Sequence, residues 1–253
     1  MSVINSGETK LYHFFRSGPT PCPYLPGRIE RKLFTRLPDG DLSKLRDQLC
    51  GSGFRRSHDI VYRPVCPGCT ACVPVRIPVE DFLWSRSMRR IVSRNADLRL
   101  SESKAVATAE QFDLFSRYQM SRHNDSDMSR MTANDFAAMI EEGAATAHLF
   151  NLRDADGVLI GAILADRLET GFSAVYSYFA PGHERRSLGT LLILDLVRLA
   201  RVEDRRHVYL GYWINGSPKM AYKTRFRPLE RLTPGGWRRI DAQPPAATVD
   251  RSP

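Results

Sequence analysis

Apolar positions recur with two different spacings along this chain, and the change between them divides it. Through about Arg76 neither spacing persists. Turn formers at Pro21, Pro23, Pro26-Gly27, Pro38-Asp39-Gly40 and Pro67-Gly68 interrupt each run, so the stretch reads as a compact, loop-rich unit. From about Ser103 the pattern becomes regular. Ala107 to His123 and Thr132 to Glu142 have helical spacing, the second opening on Thr132 with Asp135 three residues on, a capping-box start. Strand-like runs follow at Ala147 to Arg153 and Val158 to Leu168 about a turn at Asp154 to Gly157, then in the aromatic Phe172 to Phe179. Pro181-Gly182 ends that strand, and an amphipathic helix reaches about Val202. A strand over His207 to Trp213, a helix from Ser217-Pro218 through Phe226 and a hairpin over Leu229 to Ile240 complete the pattern. A further segment, Asp81 to Ala96, places Arg86, Arg89, Arg90 and Arg94 on one broad helical face. That face is either solvated or turned toward phosphate.

Composition narrows the class. With 253 residues, 42% hydrophobic and 26% charged, the chain is neither disordered nor collagen-like, and its length suits one large or two modest domains. Its 37 basic residues against 28 acidic ones give +9, a field that attracts polyanions. The best apolar run, Leu188 to Ala200, is broken by Asp195 and Arg198 and falls short of the roughly 18 residues a membrane span needs. Met1 to Phe15 lacks the apolar core of a signal peptide, so a reducing cytoplasm is expected.

Three stretches carry candidate chemistry. Cys66-x-x-Cys69-x-x-Cys72, with Cys22 upstream, has the spacing by which one loop presents several sulfurs to a soft metal. The four would hold zinc or an iron-sulfur cluster, or else are buried thiols; Cys50 lacks a spaced partner. Arg186-x-x-Gly189 at a helix start sets a basic side chain and amide donors at the positive end of a helix dipole, an anion site. Finally, Tyr209 to Lys223 interleaves Tyr212, Trp213 and Tyr222 with Lys219 and Lys223, a mixture suited to stacking bases while meeting phosphate.

Cys22-Pro23-Tyr24-Leu25-Pro26-Gly27-Arg28, Gly53-Phe54-Arg55-Arg56-Ser57, Tyr62-Arg63-Pro64 with the cysteine group, Arg122-His123, Ser187-Leu188-Gly189 and the Tyr209 to Lys223 block together resemble the bacterial aminoacyl-tRNA protein transferases. The likeness is strongest to the aspartate/glutamate leucyltransferases and spans about Leu11 to Ile240. It implies an α/β (α+β) fold: a GNAT-like acyltransferase core with a mixed, mainly antiparallel sheet over 96–241 and a Cys-rich N-terminal domain over 1–95 packed on it; beyond the resemblance, 242–253, with Pro244, Pro245 and Pro253, read as a flexible tail. It also implies transfer of leucine from leucyl-tRNA to proteins beginning with Asp or Glu, marking them for degradation by the N-end rule, with no cofactor required for transfer and no membrane partner. Tyr212, Lys219 and Tyr222 are the expected catalytic residues. Arg55 with Arg56, or Arg122 with His123, would read the acidic N-terminus; Tyr212, Trp213, Lys219, Tyr222 and Lys223 would line the aminoacyl end, Tyr178 would also bind substrate, and Arg186 with Gly189 would take a terminal phosphate. One departure stands at Phe179-Ala180-Pro181, where the family usually has Asp before the Pro. An acetyl-CoA-dependent GNAT N-acetyltransferase would share the fold but leaves the Cys-rich front and the charge unexplained. A thiolate-metal nucleic-acid binder accounts for those two and leaves the 211–223 block unexplained.

Overall fold

Eight strands drawn from both halves of the chain form the main sheet of the computed structural model, which describes residues 12–37, 42–124, 126–142 and 146–240. In chain order the elements are β1 (Phe15–Arg16), β2 (Thr20–Pro21), β3 (Ile29–Glu30), β4 (Lys32–Arg36), α1 (Ser43–Gly51), β5 (Arg55–Ser57), β6 (Ile60–Pro64), β7 (Val73–Pro78), α2 (Arg86–Arg94), β8 (Arg99–Lys104), α3 (Ala109–Arg122), α4 (Ala133–Glu141), β9 (Ala147–Arg153), β10 (Leu159–Arg167), β11 (Gly171–Phe179), α5 (Leu188–Val202), β12 (His207–Trp213), β13 (Glu230–Thr233) and β14 (Gly236–Arg239). The predicted turn at 38–40 and the predicted tail lie outside the described residues.

The main sheet has the order β14-β13-β7-β12-β11-β10-β9-β8. Its pairs are antiparallel except β11 with β12, which the crossover through α5 makes parallel. Helices cover both faces. Phe115 of α3 meets the ring of Tyr178 edge-on at 5.7 Å, whereas α5 brings Gly189 against Phe179; neighbours in a strand point to opposite faces. β10 is buried along all but its last residue, as a strand covered on both sides must be. Two capping boxes start the helices, the predicted one at Thr132/Asp135 and another at Thr108/Gln111.

The N-terminal third holds more regular structure than its turn formers suggest. β1, β4, β6 and β5 make a four-stranded sheet, with Leu37, Leu45, Leu49, Phe54 and Val61 forming a small core. Strands of two to five residues are too short to show a period. β7 hides differently: Pro74 and Pro78 argue against a strand interior, yet Val75 and Ile77 are fully buried and β7 pairs with both β12 and β13. The segment predicted as a helix after β12 is wound as 3-10 turns over Pro218–Arg225. There the Thr224 hydroxyl donates to the Ala221 carbonyl at 2.9 Å, a local bond that suits the tighter winding. Among the described residues no helix is long and apolar enough to cross a membrane.

His207, at the start of β12, carries a pH dependence. Burial, followed by Arg76 and Arg206, pulls its pKa down to about 4, and its Nδ1 is buried without a partner. Unfolded, the same imidazole binds its proton near pH ~6.5. Between those values the unfolded chain holds the extra proton, so stability falls as pH drops from the unfolded toward the folded pKa. Urea melts should show a loss of ~1–2 kcal/mol across that window, allowing for partial exposure, and His207→Gln should flatten it. An unchanged slope in that variant would assign the effect elsewhere.

Candidate functional site at the opening between β11 and β12

β11 and β12 part shortly after they meet. Their parallel pairing covers Gly171 to Ser173 against His207 to Tyr209, and beyond it β12 shifts register against β7 between Tyr209 and Gly211. The guanidinium of Arg55 lies in the resulting opening. Its Nη2 donates to the β11 carbonyls of Ala174 at 2.5 Å and Val175 at 3.2 Å, groups that a continuing partner strand would otherwise satisfy. Gly211 makes room for it. With φ +74°, a Cβ on Gly211 would sit 1.3 Å from Arg55 Nη1 and 2.2 Å from its Cζ, so this position requires glycine on both conformational and steric grounds. Cys50, Ser173, Tyr209 and Trp237 help line the narrow cleft at the closed end, and burial pushes the Cys50 thiol up to about 12.

The side chains around Arg55 are held tightly. Tyr212 Oη donates to the Gly53 and Tyr62 carbonyls at 2.9 and 3.1 Å, and burial raises its pKa. Its hydroxyl is therefore committed to fastening β12 onto the N-terminal segment. Lys223 is buried and donates to the Tyr212 carbonyl. Desolvation and then Arg55 hold its pKa well below the usual lysine value, which gives an amine driven toward its neutral form. Tyr24, raised to about 12 chiefly by burial, and Tyr222, 41% exposed, lie within electrostatic reach of Arg55.

A second group forms where α3 ends. Arg122 stacks over Phe179 at 5.5 Å, His123 meets Tyr118 edge-on at 5.6 Å, and the exposed Lys219 approaches from the 3-10 turns. His123 has its pKa lowered by burial first, then by Lys219 and Arg122. Two cationic side chains, Arg122 and Lys219, thus flank the His123 imidazole, with the exposed Glu184 within electrostatic reach of Arg122. Behind them the buried Gln119 donates from Nε2 to Tyr176 Oη at 2.6 Å while its Oε1 has no partner. Tyr118 is within electrostatic reach of Tyr222, which links this group to the Arg55 group.

Several expected site residues have other surroundings. Arg56 faces away from its neighbour Arg55 and is buried against Asp166, Nε lying 2.8 and 3.0 Å from the two carboxylate oxygens. It anchors β5 to β10 and is not free to read a substrate. Arg186 is paired with Asp97 at 2.5 Å, and Gly189 is needed because a Cβ would lie 2.8 Å from the Phe179 ring; its smallness serves packing. Tyr178 and Trp213 belong to the core. Burial and then the neighbouring Cys66, Cys22 and Cys69 thiols push Cys72 up to about 12, so the four sulfurs are near one another. All are free thiols, and among the described residues no three His, Cys, Asp or Glu side chains form a metal-binding group. The cysteines as arranged therefore give no support to a zinc or cluster site.

Tyr24, Tyr118, Gln119, Tyr176 and Asp166 join these groups without a role expected from sequence. Gln119 had a legible signal: it falls on the helical face of Leu114 and Phe115, where a buried amide calls for a partner. Asp166 did not, since a carboxylate in an apolar strand has no local partner in sequence.

The family model described as the N terminus of arginine-tRNA-protein transferase matches residues 20–90, and that of its C terminus matches residues 110–233. The aspartate/glutamate leucyltransferase of Maricaulis maris is 51% identical over 229 residues, 90% of each chain. That of Paramagnetospirillum magneticum is 50% identical over 229 residues, 90% of this chain and 94% of its own. Among solved structures, the L-PGS of Bacillus licheniformis aligns with a TM-score of 0.45 at 9% identity, over 68% of this chain and 50% of its own, too distant to bear on function. The matched motifs run through both the N-terminal segment that supplies Arg55 and the strands that part around it, and the chain belongs to the arginine-tRNA-protein transferase family, alongside the aspartate/glutamate leucyltransferases.

Proposed function

We propose that the protein transfers leucine from leucyl-tRNA to the α-amine of proteins beginning with Asp or Glu, marking them for degradation. The observation that carries this is about 50% identity to aspartate/glutamate leucyltransferases along nine-tenths of the chain. We assign the reaction to the β11–β12 opening, where Arg55 is held on the β11 carbonyls. Residues 96–241 act as a GNAT-like core, and the Cys-rich unit over 1–95 contributes Arg55 and β7 to it.

The chemistry asks little of a base. The substrate α-amine has a pKa near ~7.7–8.0, so part of it is neutral at cellular pH. Its nitrogen attacks the ester carbonyl carbon, the bond from that carbon to the ribose oxygen breaks, the amine gives up a proton and the ribose hydroxyl takes one. Holding the two together supplies on the order of 7 kcal/mol of the acceleration. Arg55, with Nη2 fixed on β11, keeps donors for the oxygen on which negative charge develops. Lys223, driven toward neutrality beside it, accepts the amine's proton. Tyr222 flanks the aminoacyl end, and Tyr212 holds β12 in register.

Arg122 and Lys219, on either side of His123, form the cationic mouth that reads the acidic side chain, a role these two cations suit better than Arg56, which Asp166 already engages. Incubation with labelled leucyl-tRNA should label an acceptor starting with Asp far faster than one starting with Ala. In Arg122→Ala the Asp acceptor should lose ~10–100-fold in kcat/KM, the worth of one charge-assisted hydrogen bond, while slow transfer to the Ala acceptor stays the same. Equal losses on both acceptors would remove Arg122 from side-chain recognition.

A further inference from the structure

The exposed face of α2 consists of arginine and serine alone. Arg86, Arg89, Arg90 and Arg94 are exposed together with Ser87 and Ser93, while Met88, Ile91 and Asn95 turn inward. At 3.6 residues per turn the four arginines form one stripe, about 12 Å long at 1.5 Å per residue. The helix holds no acidic residue. Neighbouring carboxylates are committed elsewhere, Asp97 to Arg186 and Asp81 to Arg239, so among the described residues the stripe is not neutralised. Its far end is docked on the loop that leaves β11: Arg94 donates to the Arg185 carbonyl and Asn95 Nδ2 to the Arg186 carbonyl at 2.9 Å. Arg185 is exposed there and extends the charge. A polyanion lying along α2 would therefore point toward the strand that lines the opening.

We infer that this stripe receives the phosphate backbone of the donor tRNA, at the double-helical stem next to its aminoacyl end. The inference rests on the proposed use of leucyl-tRNA. Guanidinium forks and serine hydroxyls are the side chains that grip phosphate, and the face lacks the aromatic or aliphatic anchors on which protein interfaces depend. Contacts to phosphate position the nucleic acid without reading sequence, and their loss shows as a shallower salt dependence.

The test compares the wild type, Arg86→Glu/Arg90→Glu and Arg86→Lys/Arg90→Lys in full-length protein. Both positions are exposed, so melting temperature should not move. In the glutamate pair, tRNA affinity should fall ~10–100-fold and the slope of log affinity against log salt should flatten by about 2, one unit per lost phosphate contact. The KM for leucyl-tRNA should rise with it, while the transfer rate at saturating leucyl-tRNA and the KM for the acceptor protein stay at wild-type values; the lysine pair should keep most of the affinity. An unchanged slope and KM, or a rise in acceptor KM with tRNA affinity intact, would overturn the inference. A wild-type protein that moves no leucine, in a series that still shows the tRNA loss, would instead overturn the function and leave the surface standing.

Discussion

Gly211→Ala is expected to reduce leucine transfer by at least ~100-fold while leaving tRNA binding intact. The new methyl would occupy the position of the Arg55 guanidinium, 1.3 Å from Nη1, and the backbone at φ +74° would cost a further ~1–2 kcal/mol in any residue with a Cβ. β12 is held on its other edge by β7, so the arginine yields and leaves the carbonyls of Ala174 and Val175. Losing one arrangement of donors around the reacting ester is worth ~2.7–4 kcal/mol in comparable sites. Arg55→Ala should produce a similar loss by removing the group directly. Because both changes remove the same feature, the double variant should be little worse than either single one. Losses that add fully would mean that Gly211 and Arg55 act separately and that the opening is not the shared site.

Asp166→Ala should be the most damaging change to stability. The Arg56–Asp166 pair is almost wholly buried, 3% and 7% exposed, and joins the small N-terminal sheet to the centre of the large one. Removing the carboxylate strands a buried guanidinium, at a cost of ~3–5 kcal/mol. For a chain of this length that lowers Tm by about 10 °C. Arg56 also donates to the Glu142 carbonyl at 3.1 Å, which softens the loss without providing a counter-charge. Activity should fall with stability, since Arg56 fixes the strand from which its neighbour Arg55 reaches the opening. Replacing both partners with apolar residues, Arg56→Met with Asp166→Leu, should recover much of the Tm; a double variant as unstable as Asp166→Ala would show that the charge is not what the site needs.

How much of this was legible beforehand depended on the length over which a pattern could accumulate. β9, β12 and α4, with its Thr132/Asp135 box, lie within a residue of their predicted bounds, because seven or more residues of period and a cap leave little freedom. β1 to β6 were invisible at two to five residues each, and β7 was masked by Pro74 and Pro78. The site divided the same way. Arg55, Lys219, Tyr222 and Lys223 stand out as arginine, lysine and tyrosine crowding near glycine. Whether an arginine lies in the β11–β12 opening or against a buried aspartate is a matter of strand parity and a partner 110 positions away, which is why Arg55 and Arg56 look alike in sequence and differ in the fold. Gly189 looked like a phosphate approach and proved to make room for a ring. The cysteines lie near one another, but among the described residues no three of them form a metal-binding group.

This protein moves leucine from tRNA to an acidic N-terminus. A single competition measures it: the protein is given an Asp-starting acceptor with separately labelled leucyl-tRNA, arginyl-tRNA, phenylalanyl-tRNA and acetyl-CoA, and the acceptor's N-terminus is analysed. Leucine should be the group that appears there, and it should vanish when leucyl-tRNA is treated to remove its amino acid. Acetyl label on the acceptor, a preference for arginine or phenylalanine, or tRNA bound with no label transferred would contradict the account.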